Sequence, residues 1–411
     1  MRMKFNKSSQ LLLVSAASLL VAGFMTACIT LTVDFVFVAS SKAAGPNNYG
    51  EIDVFEINSE SGRMRQIPAS PFPSEGRDPV AEAVSTDHGS LFVANQDDNN
   101  IVQFVIGNDG KLYPYNTVNT PGVYPLALAA TASNLFVVDT YQPLPTCSTA
   151  APCSGSIAVY PLTAATSSLP VVLGSPAVNA GISANYWPLT LPGNSSSDVI
   201  VPTAVNVLAS GAYVYVTAYD SSVTPSVGYV FGFTVGSGGV LTPLSGSPFA
   251  AGIQPSAIAS DSTSKYVYVT DYSRGNVLGY SVASGLLTPL AGSPFSAGNQ
   301  PSAVVVDQTY AYVYVANSQD ATITAYSASN GALTRIGAYT TGLEPVAMGI
   351  DPSTSHFLYT ANFLGNDISG FELSTTAGTL LDAQFSPYPS NDQPTAVAAI
   401  PHNGVGGGVQ P

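Results

Sequence analysis

The feature that most constrains this chain is an internal repeat. The segment from Gly285 to Ala303 matches the segment from Gly239 to Ala257 almost residue for residue. Each copy is followed by a short apolar run, an Asp-containing turn and a second run rich in Tyr and Val, such as Val267-Tyr-Val-Thr-Asp271. Self-similarity of this kind indicates a fold that is built by stacking one supersecondary unit many times.

A proline opens each copy, and its spacing sets the period. The intervals are 44 to 53 residues, with one longer interval of 77, between Pro79, Pro125, Pro202, Pro255, Pro301, Pro345 and Pro394. A period of about 40–50 residues with four strands per unit is typical of β-propeller blades. Only 9% of residues are charged, while Gly numbers 37 and Pro 31. This composition excludes helical repeats and disorder, which need the charged residues that are scarce here.

The two ends of the chain each supply part of one unit. With strands lettered A to D within a unit, residues 33–67 supply only B, C and D, and Thr395–Ile400 supply only A. Joined, they make one blade that closes the ring and leaves no open sheet edge. The sequence therefore predicts an all-β, seven-bladed propeller of four-stranded antiparallel blades, with a six- or eight-bladed ring as the main alternative.

The N-terminal segment is typical of an export signal. Arg2, Lys4 and Lys7 precede an apolar run from Leu11 to Phe24, which ends at Met25-Thr-Ala-Cys28. This pattern resembles a bacterial lipoprotein signal and predicts lipid attachment at Cys28; an uncleaved membrane anchor and ordinary secretion are the alternatives. All three place the rest of the chain outside the cytoplasm, and the predicted location is the cell envelope, membrane-anchored. We expect residues 1–27 to be the signal, 28–401 the propeller and 402–411 a Gly-rich tail.

Cysteine usage and net charge limit the compartment, the metals and the binding partners that the sequence predicts. Cys147 and Cys153 lie in one Pro/Ser/Thr-rich loop, and a disulfide between them suits an oxidising compartment. No cluster of His, Cys and carboxylates has metal-binding spacing, so we expect no metal and no cofactor; a bound divalent cation has no support. The formal charge of −14 argues against nucleic acid, because phosphate binding needs clustered Lys and Arg.

The repeat also resembles a known family. The run L-T-P-L-x-G-S-P-F-x-A-G-x-Q-P-S-A, together with strands such as Val313-Tyr-Val-Ala-Asn317, is similar to that of the lactonase-type seven-bladed propellers. That family includes a bacterial phosphogluconolactonase and is similar to the YVTN surface-repeat propellers. The resemblance implies the seven-bladed fold and raises lactone hydrolysis as an activity.

One face of the ring is expected to carry function. The D–A and B–C loops emerge together on a face that we call the top, and three long loops fall there: Thr140–Gly155, Gly174–Val201 and Tyr219–Val227. Insertions in repeat proteins usually mark the binding face. The second loop holds the sole tryptophan, Trp187, which would either stack on a sugar ring or pack the loop onto the blades. The sequence favours packing, since large aromatics mostly bury their area.

Two sets of polar residues are predicted to ring the top mouth of the central channel. The strand-B ends are Asn95, Asp139, Asp271, Asn317 and Asn362, and the pre-proline residues are Asp78, Gln254, Gln300, Glu344 and Gln393. Amides and carboxylates could hydrogen-bond polyol hydroxyls, whereas the alternative is that they cap turns. The predicted ligand-binding residues are Asn95, Asp139, Trp187, Gln254, Gln300, Asn317, Glu344 and Asn362.

Catalysis, if present, must use carboxylates. His88 and His356 fall toward the bottom face and His402 in the tail, so no Ser-His-Asp arrangement forms on the top. The predicted catalytic pair is Asp271 as general base with Arg274 at the developing oxyanion, and a surface ion pair explains these two residues equally well. The top loops are mainly acidic, which makes this face poorly suited to a phosphorylated substrate.

The sequence thus predicts an exported, lipid-anchored and monomeric propeller that binds a small polar, carbohydrate-like ligand or an envelope protein at its top face. The alternative is a lactone hydrolase of the phosphogluconolactonase type. A purely structural surface repeat is the third possibility. The residues alone do not decide whether the protein is an enzyme.

Overall fold

The computed structural model describes residues 32–166, 169–193 and 198–402. These residues form seven sheets, each with a path of four antiparallel strands. The innermost strands of successive blades contact one another around a central channel, and the last contacts the first. The predicted seven-bladed propeller is therefore confirmed.

The blades are numbered I to VII by the position of strand A in the chain. In the order A to D, their strands are Pro79–Val84, Ser90–Asn95, Asn100–Ile106 and Leu112–Asn119 in I; Val123–Ala130, Asn134–Tyr141, Ser156–Thr163 and Val172–Leu173 in II; Ile200–Val207, Tyr213–Asp220, Val227–Val235 and Leu241–Pro243 in III; Pro255–Ser260, Tyr266–Asp271, Asn276–Ala283 and Leu286–Pro289 in IV; Pro301–Val306, Tyr312–Asn317, Thr322–Ser329 and Ala332–Thr340 in V; Pro345–Ile350, Phe357–Asn362, Asp367–Leu373 and Leu380–Asp382 in VI; Pro394–Pro401, Thr32–Ala44, Tyr49–Asn58 and Met64–Gln66 in VII. In five blades a second short outer segment also pairs with strand C: Phe72–Pro73 in VII, Trp187–Pro188 in II, Phe249–Ala250 in III, Phe295–Ser296 in IV and Tyr388–Pro389 in VI. A short 3-10 turn, Ser237–Gly239, joins strands C and D of blade III.

Blade VII closes the ring as the sequence predicts. Its strand A is the C-terminal strand Pro394–Pro401, which pairs antiparallel with Thr32–Ala44 so that Val38 lies opposite Val397. The same C-terminal strand contacts strand A of blade I on its other side. Both ends of the chain are thereby held in one sheet. The signal segment and Cys28 lie outside the described residues.

Strand A follows a fixed packing pattern counted from its opening proline. The third residue after the proline, position +3, packs against the preceding blade and is aliphatic in six blades: Leu128, Val205, Ile258, Val304, Met348 and Val397. The fourth residue, position +4, lies against the following blade and is small or apolar in six: Ala83, Ala129, Ala259, Val305, Gly349 and Ala398. Two polar residues break the pattern, Glu82 at +3 in blade I and Asn206 at +4 in blade III.

Buried tyrosines join neighbouring blades. The hydroxyl of Tyr268 in blade IV donates to the carbonyl of Gly331 in blade V over 2.9 Å, and Tyr215 makes the same bond to Gly285 over 2.8 Å. Gly331 has a φ of +82° and a Cβ there would lie 2.3 Å from Tyr266, so this turn requires glycine. These hydroxyl bonds satisfy polar atoms inside an otherwise apolar interface.

Candidate ligand-binding site

The strand-B ends lie beneath the top surface. Asn95, Asp139, Asp271, Asn317 and Asn362 are each 0% exposed. Four of the five side chains bond the D–A loop that leads into their own blade, whereas Asn362 bonds Asp367 and Ser369. Asp271 accepts the N–H groups of Ile253 and Gln254 over 2.9 and 3.1 Å. Asn317 accepts the N–H of Gly298 over 2.9 Å and Asp139 that of Gly122 over 3.1 Å. The turn-capping alternative therefore fits these buried side chains, and their part in binding a ligand stays a prediction.

The predicted catalytic pair is not assembled. Asp271 is buried and both of its carboxylate oxygens accept backbone N–H groups, while Arg274 is exposed. Among the described residues, no ion pair links the two side chains. A carboxylate that is buried and fully engaged in holding a loop cannot approach a substrate, so Asp271 has a structural role.

Trp187 packs the long D–A loop onto the blades. It is 5% exposed and lies in the apolar core between blades II and III, beside Phe136 and Ile200. Its backbone pairs with Ile157 in strand C of blade II. The indole face is therefore not available for stacking on a ligand. On the neighbouring loop, Cys147 and Cys153 form the predicted disulfide, with Cα atoms 5.4 Å apart.

The pre-proline residues form the accessible ring at the top mouth. Tyr124 also belongs to this group, because it precedes Pro125. Of the residues that precede the seven repeat prolines, five adopt left-handed backbone: Asp78 (φ +55°), Tyr124 (+58°), Gln300 (+53°), Glu344 (+55°) and Gln393 (+63°). The backbone carbonyls of Gln300 and Glu344 each accept an N–H from just beyond strand B of the same blade, over 2.9 Å in both cases. The same backbone conformation therefore recurs from blade to blade at the entrance to strand A.

The side chains of this ring retain their hydrogen-bonding capacity. Within the described part of the chain, no hydrogen bond reaches the side chains of Asp78, Gln300, Glu344 or Gln393, whereas Gln254 accepts one from Ser273 over 2.8 Å. All but Gln393, which is exposed, are half-buried. Because strand A lines the channel, the residues just before it surround the channel mouth. Gln254, Gln300 and Glu344 of the predicted set therefore lie at an open polar ring.

The charges at this face do not favour an anion. Arg77 pairs with Asp98, its Nε lying 2.7 Å from the carboxylate, and Lys42 pairs with Asp392. Burial, followed by the charge of Asp97, raises the pKa of Asp78 above its usual value. An anionic ligand would thus meet acidic side chains and two paired cations, while Arg274 is exposed and has no ion pair among the described residues.

Sequence reasoning missed Glu82 in the wall of the channel. Both carboxyl oxygens of Glu82 are buried without a hydrogen-bond partner. Burial raises the pKa of this side chain well above its ordinary value. The signal was present in the sequence, because the six other blades have an aliphatic residue at the same repeat position.

Two cavities lie on the bottom face, opposite the predicted site. One, of about 400 Å³, occupies the bottom mouth of the channel beneath blades III to VI and includes Asn206 and Asp351 in its lining. The other, of about 590 Å³, lies between the turns at Ala130–Ser133 and Val207–Ala212. In the ranges that the structure describes, no group of three or more His, Cys, Asp or Glu side chains could hold a metal ion.

The family resemblance can be compared with this geometry. A family model described as "Lactonase, 7-bladed beta-propeller" matches residues 287–398, which cover blade V, blade VI and most of the closing strand. The resemblance to the lactonase-type propellers is confirmed. No curated protein matches the sequence.

Solved structures are similar to this chain over most of its length. A proposed 6-phosphogluconolactonase from Bacteroides fragilis is 18% identical with a TM-score of 0.70, covering 90% of this chain and 99% of its own. A periplasmic gluconolactonase from Pseudomonas aeruginosa is 17% identical with a TM-score of 0.68, covering 90% of this chain and 99% of its own. At these identities the likeness concerns the fold. The disulfide is consistent with a location outside the cytoplasm, and no helix among the described residues is long and apolar enough to cross a membrane.

Proposed function

We propose that this propeller binds a small, uncharged, carbohydrate-like ligand at the top mouth of its channel. The observation that supports this function is the pre-proline ring, in which Gln300 and Glu344 are half-buried and have no hydrogen bond to their side chains within the described residues. An amide both donates and accepts, and a carboxylate accepts two or more hydrogen bonds, so together they suit adjacent hydroxyls. Tyr124 adds an aromatic ring at the same level, set edge-on to Tyr141 at 6.0 Å.

The ligand is uncharged because the ring itself contains carboxylates and no Lys or Arg. Phosphate recognition uses Arg or Lys side chains that can donate several charge-assisted hydrogen bonds. Here Arg77 and Lys42 are paired with aspartates, and Glu344 lies in the ring itself. A phosphorylated sugar would therefore bind more weakly than its unphosphorylated form.

Lactone hydrolysis is the second candidate function. The family match and the structural likeness to a protein named as a gluconolactonase favour it. In this reaction Glu344 takes a proton from water, and the resulting hydroxide attacks the lactone carbonyl carbon. The ring C–O bond breaks, the alkoxide oxygen takes up the proton, and a hydroxy acid is released. The amide N–H of Gln300 or Gln254 would stabilise the oxyanion.

Binding and turnover are tested in parallel. The purified chain is titrated calorimetrically with D-glucose and with glucose 6-phosphate, and proton release from gluconic δ-lactone is followed in a pH-stat. Binding of glucose should be lost in Gln300→Ala and kept in Gln384→Ala, an exposed glutamine of blade VI that serves as the matched control. Equal binding in the two variants would refute the top-mouth site. Turnover that falls at least tenfold in Glu344→Gln, with glucose binding retained, would establish the hydrolase.

The location outside the cytoplasm and the lipid anchor belong to the same proposal. Cys28 stands four residues before Thr32, where strand B of blade VII starts at the bottom face, a reach of about 14 Å. Lipid at Cys28 would hold the bottom toward the membrane and leave the top open to a ligand or an envelope protein. Labelled palmitate should enter the wild-type chain and not Cys28→Ser; equal incorporation would refute the anchor. We propose a monomer, which light scattering of the purified chain can check.

A further inference from the structure

We propose that the bottom mouth of the channel is a second binding site, which takes a small uncharged polyhydroxyl molecule on the side-chain amide of Asn206. This inference is independent of the ligand proposed for the top mouth. It rests on a break in the internal repeat, on an unpaired buried amide and on the cavity that this amide lines.

The break in the repeat lies at position +4 of strand A. Six blades place a small or apolar residue there, because the side chain must fit against the next blade in the narrow centre of the ring. Blade III alone has an amide, Asn206. A polar group buried without a partner destabilises a fold, so neither packing nor stability explains this residue.

The amide of Asn206 is unpaired in the protein. Its Oδ1 is buried with no hydrogen-bond partner, and no described residue bonds its Nδ2. The side chain contributes to the wall of the cavity of about 400 Å³. That volume falls within the range of about 300–1,000 Å³ that is usual for small-molecule sites. The amide can therefore accept one hydrogen bond from a ligand and donate another.

The rest of the lining provides further polar groups. Thr309 and Ser355 from adjacent blades lie 3.2 Å apart through their hydroxyls. The Nε2 of Gln308 donates to the carbonyls of Ser260 and Val306 over 3.2 and 2.9 Å, which leaves its Oε1 to accept from a ligand. Val305, Ile350 and Pro352 supply apolar surface between these groups. Hydroxyls and amides interspersed with aliphatic carbon match the alternating C–H and O–H surface of a polyol.

The charges define the class of ligand. Among the described residues that line the cavity, Asp351 is the one charged side chain, and no Lys, Arg or His is present. Asp351 accepts the N–H groups of Thr354, His356 and Phe357 over 2.6, 2.7 and 2.8 Å, so its charge is already used in holding the A–B turn. A phosphate or carboxylate would meet this acid without a compensating cation. The site therefore selects against anions.

The test locates and measures a neutral polyol on the full chain. The probe is myo-inositol, followed by calorimetry and by X-ray structures of crystals soaked with it, with glucose 6-phosphate as the anionic comparison. We expect inositol in the bottom cavity within hydrogen-bond distance of Asn206. Affinity there should fall at least tenfold in Asn206→Ala, and glucose 6-phosphate should be absent from the cavity.

Two controls separate this site from the one at the top. Asn206→Ala places the residue of blades I, II, IV and VII at position +4, so the ring should fold with an unchanged or higher unfolding midpoint. Gln300→Ala should leave inositol binding at the bottom intact. An empty bottom cavity in the soaked wild-type crystals, or affinity there that is unchanged in Asn206→Ala, would overturn the proposal. Binding abolished by Gln300→Ala alone would assign the polyol to the top mouth and also overturn it.

Discussion

Replacing Glu82 by leucine should stabilise the propeller. Leucine is the residue that blade II uses at the same position, Leu128, and position +3 is aliphatic in the other blades. Both oxygens of Glu82 are buried without partners, and a buried unsatisfied polar group costs about 1–3 kcal/mol. The leucine side chain meets the same apolar seam between blades VII and I. We therefore expect Glu82→Leu to raise the free energy of unfolding at neutral pH by about 1–3 kcal/mol.

The gain should depend on pH in a defined direction. Burial raises the folded-state pKa of Glu82 above its unfolded value of about 4.3, so the folded protein holds a proton that the unfolded chain releases. Wild-type stability from this group is complete below pH of about 4 and is lost as pH rises toward the folded pKa. The difference between Glu82→Leu and wild type should thus be smallest near pH 4 and larger near pH 7.

Urea unfolding followed by intrinsic fluorescence at these two pH values measures the effect. Glu82→Gln should remove the pH-dependent part while keeping a polar group in the seam. Glu372→Leu, which replaces an exposed glutamate of strand C in blade VI, is the matched control and should change little. A Glu82→Leu protein that is less stable than wild type at pH 7, or a difference that does not grow with pH, would refute the reasoning.

Three further experiments test the structural roles assigned above. Tyr268→Phe should cost about 1–3 kcal/mol in urea unfolding because the carbonyl of Gly331 loses its buried donor; Tyr310→Phe, an exposed tyrosine, should cost close to nothing. Asp271→Ala should lower the free energy of unfolding by about 1–3 kcal/mol, because the loop loses its two hydrogen bonds to this side chain. Arg274→Ala should leave the stability unchanged. Equal effects of the two substitutions in calorimetric melts would contradict the structural role of Asp271. Replacing both Cys147 and Cys153 by serine should cost about 2 kcal/mol, since the disulfide closes a loop with a sequence separation of 6; the same melts check this, and an unchanged midpoint would count against it.

The seven-bladed ring could be predicted from the sequence because the residues that indicate each strand recur periodically. A proline before strand A and the Tyr/Val strand after an Asp turn recur in register, and the incomplete units at the two ends fit one sheet. The disulfide also followed from two cysteines in a single loop. Each of these inferences depends on the spacing of residues along the chain, which can be read directly from the sequence.

The binding surface could not be read in the same way. Asp271 and Gln300 are both polar residues at repeated positions near the top, yet Asp271 is 0% exposed and Gln300 is half-buried at the channel mouth. The distinction depends on left-handed backbone just before each proline and on the bulge just after it, as between Pro301 and Ala303. In most blades no glycine in the sequence signals either the left-handed residue or the bulge. Glu82 and Asn206 stand out in the sequence as polar exceptions at repeated positions, but the burial of their oxygens follows only from the structure.

The composite blade has a consequence for the order in which the molecule can be made. Strand A of blade VII is Pro394–Pro401, the last of the described strands in chain order, and it joins a sheet begun at Thr32. Until it arrives, strand B of that sheet lacks its inner partner and the seam beside blade I stays open. Until this strand is in place, the chain is an open row of blades. The ring closes only when this strand pairs with blade VII. Loss of this strand alone would leave the earlier blades in place and the ring unclosed between blades VI and I.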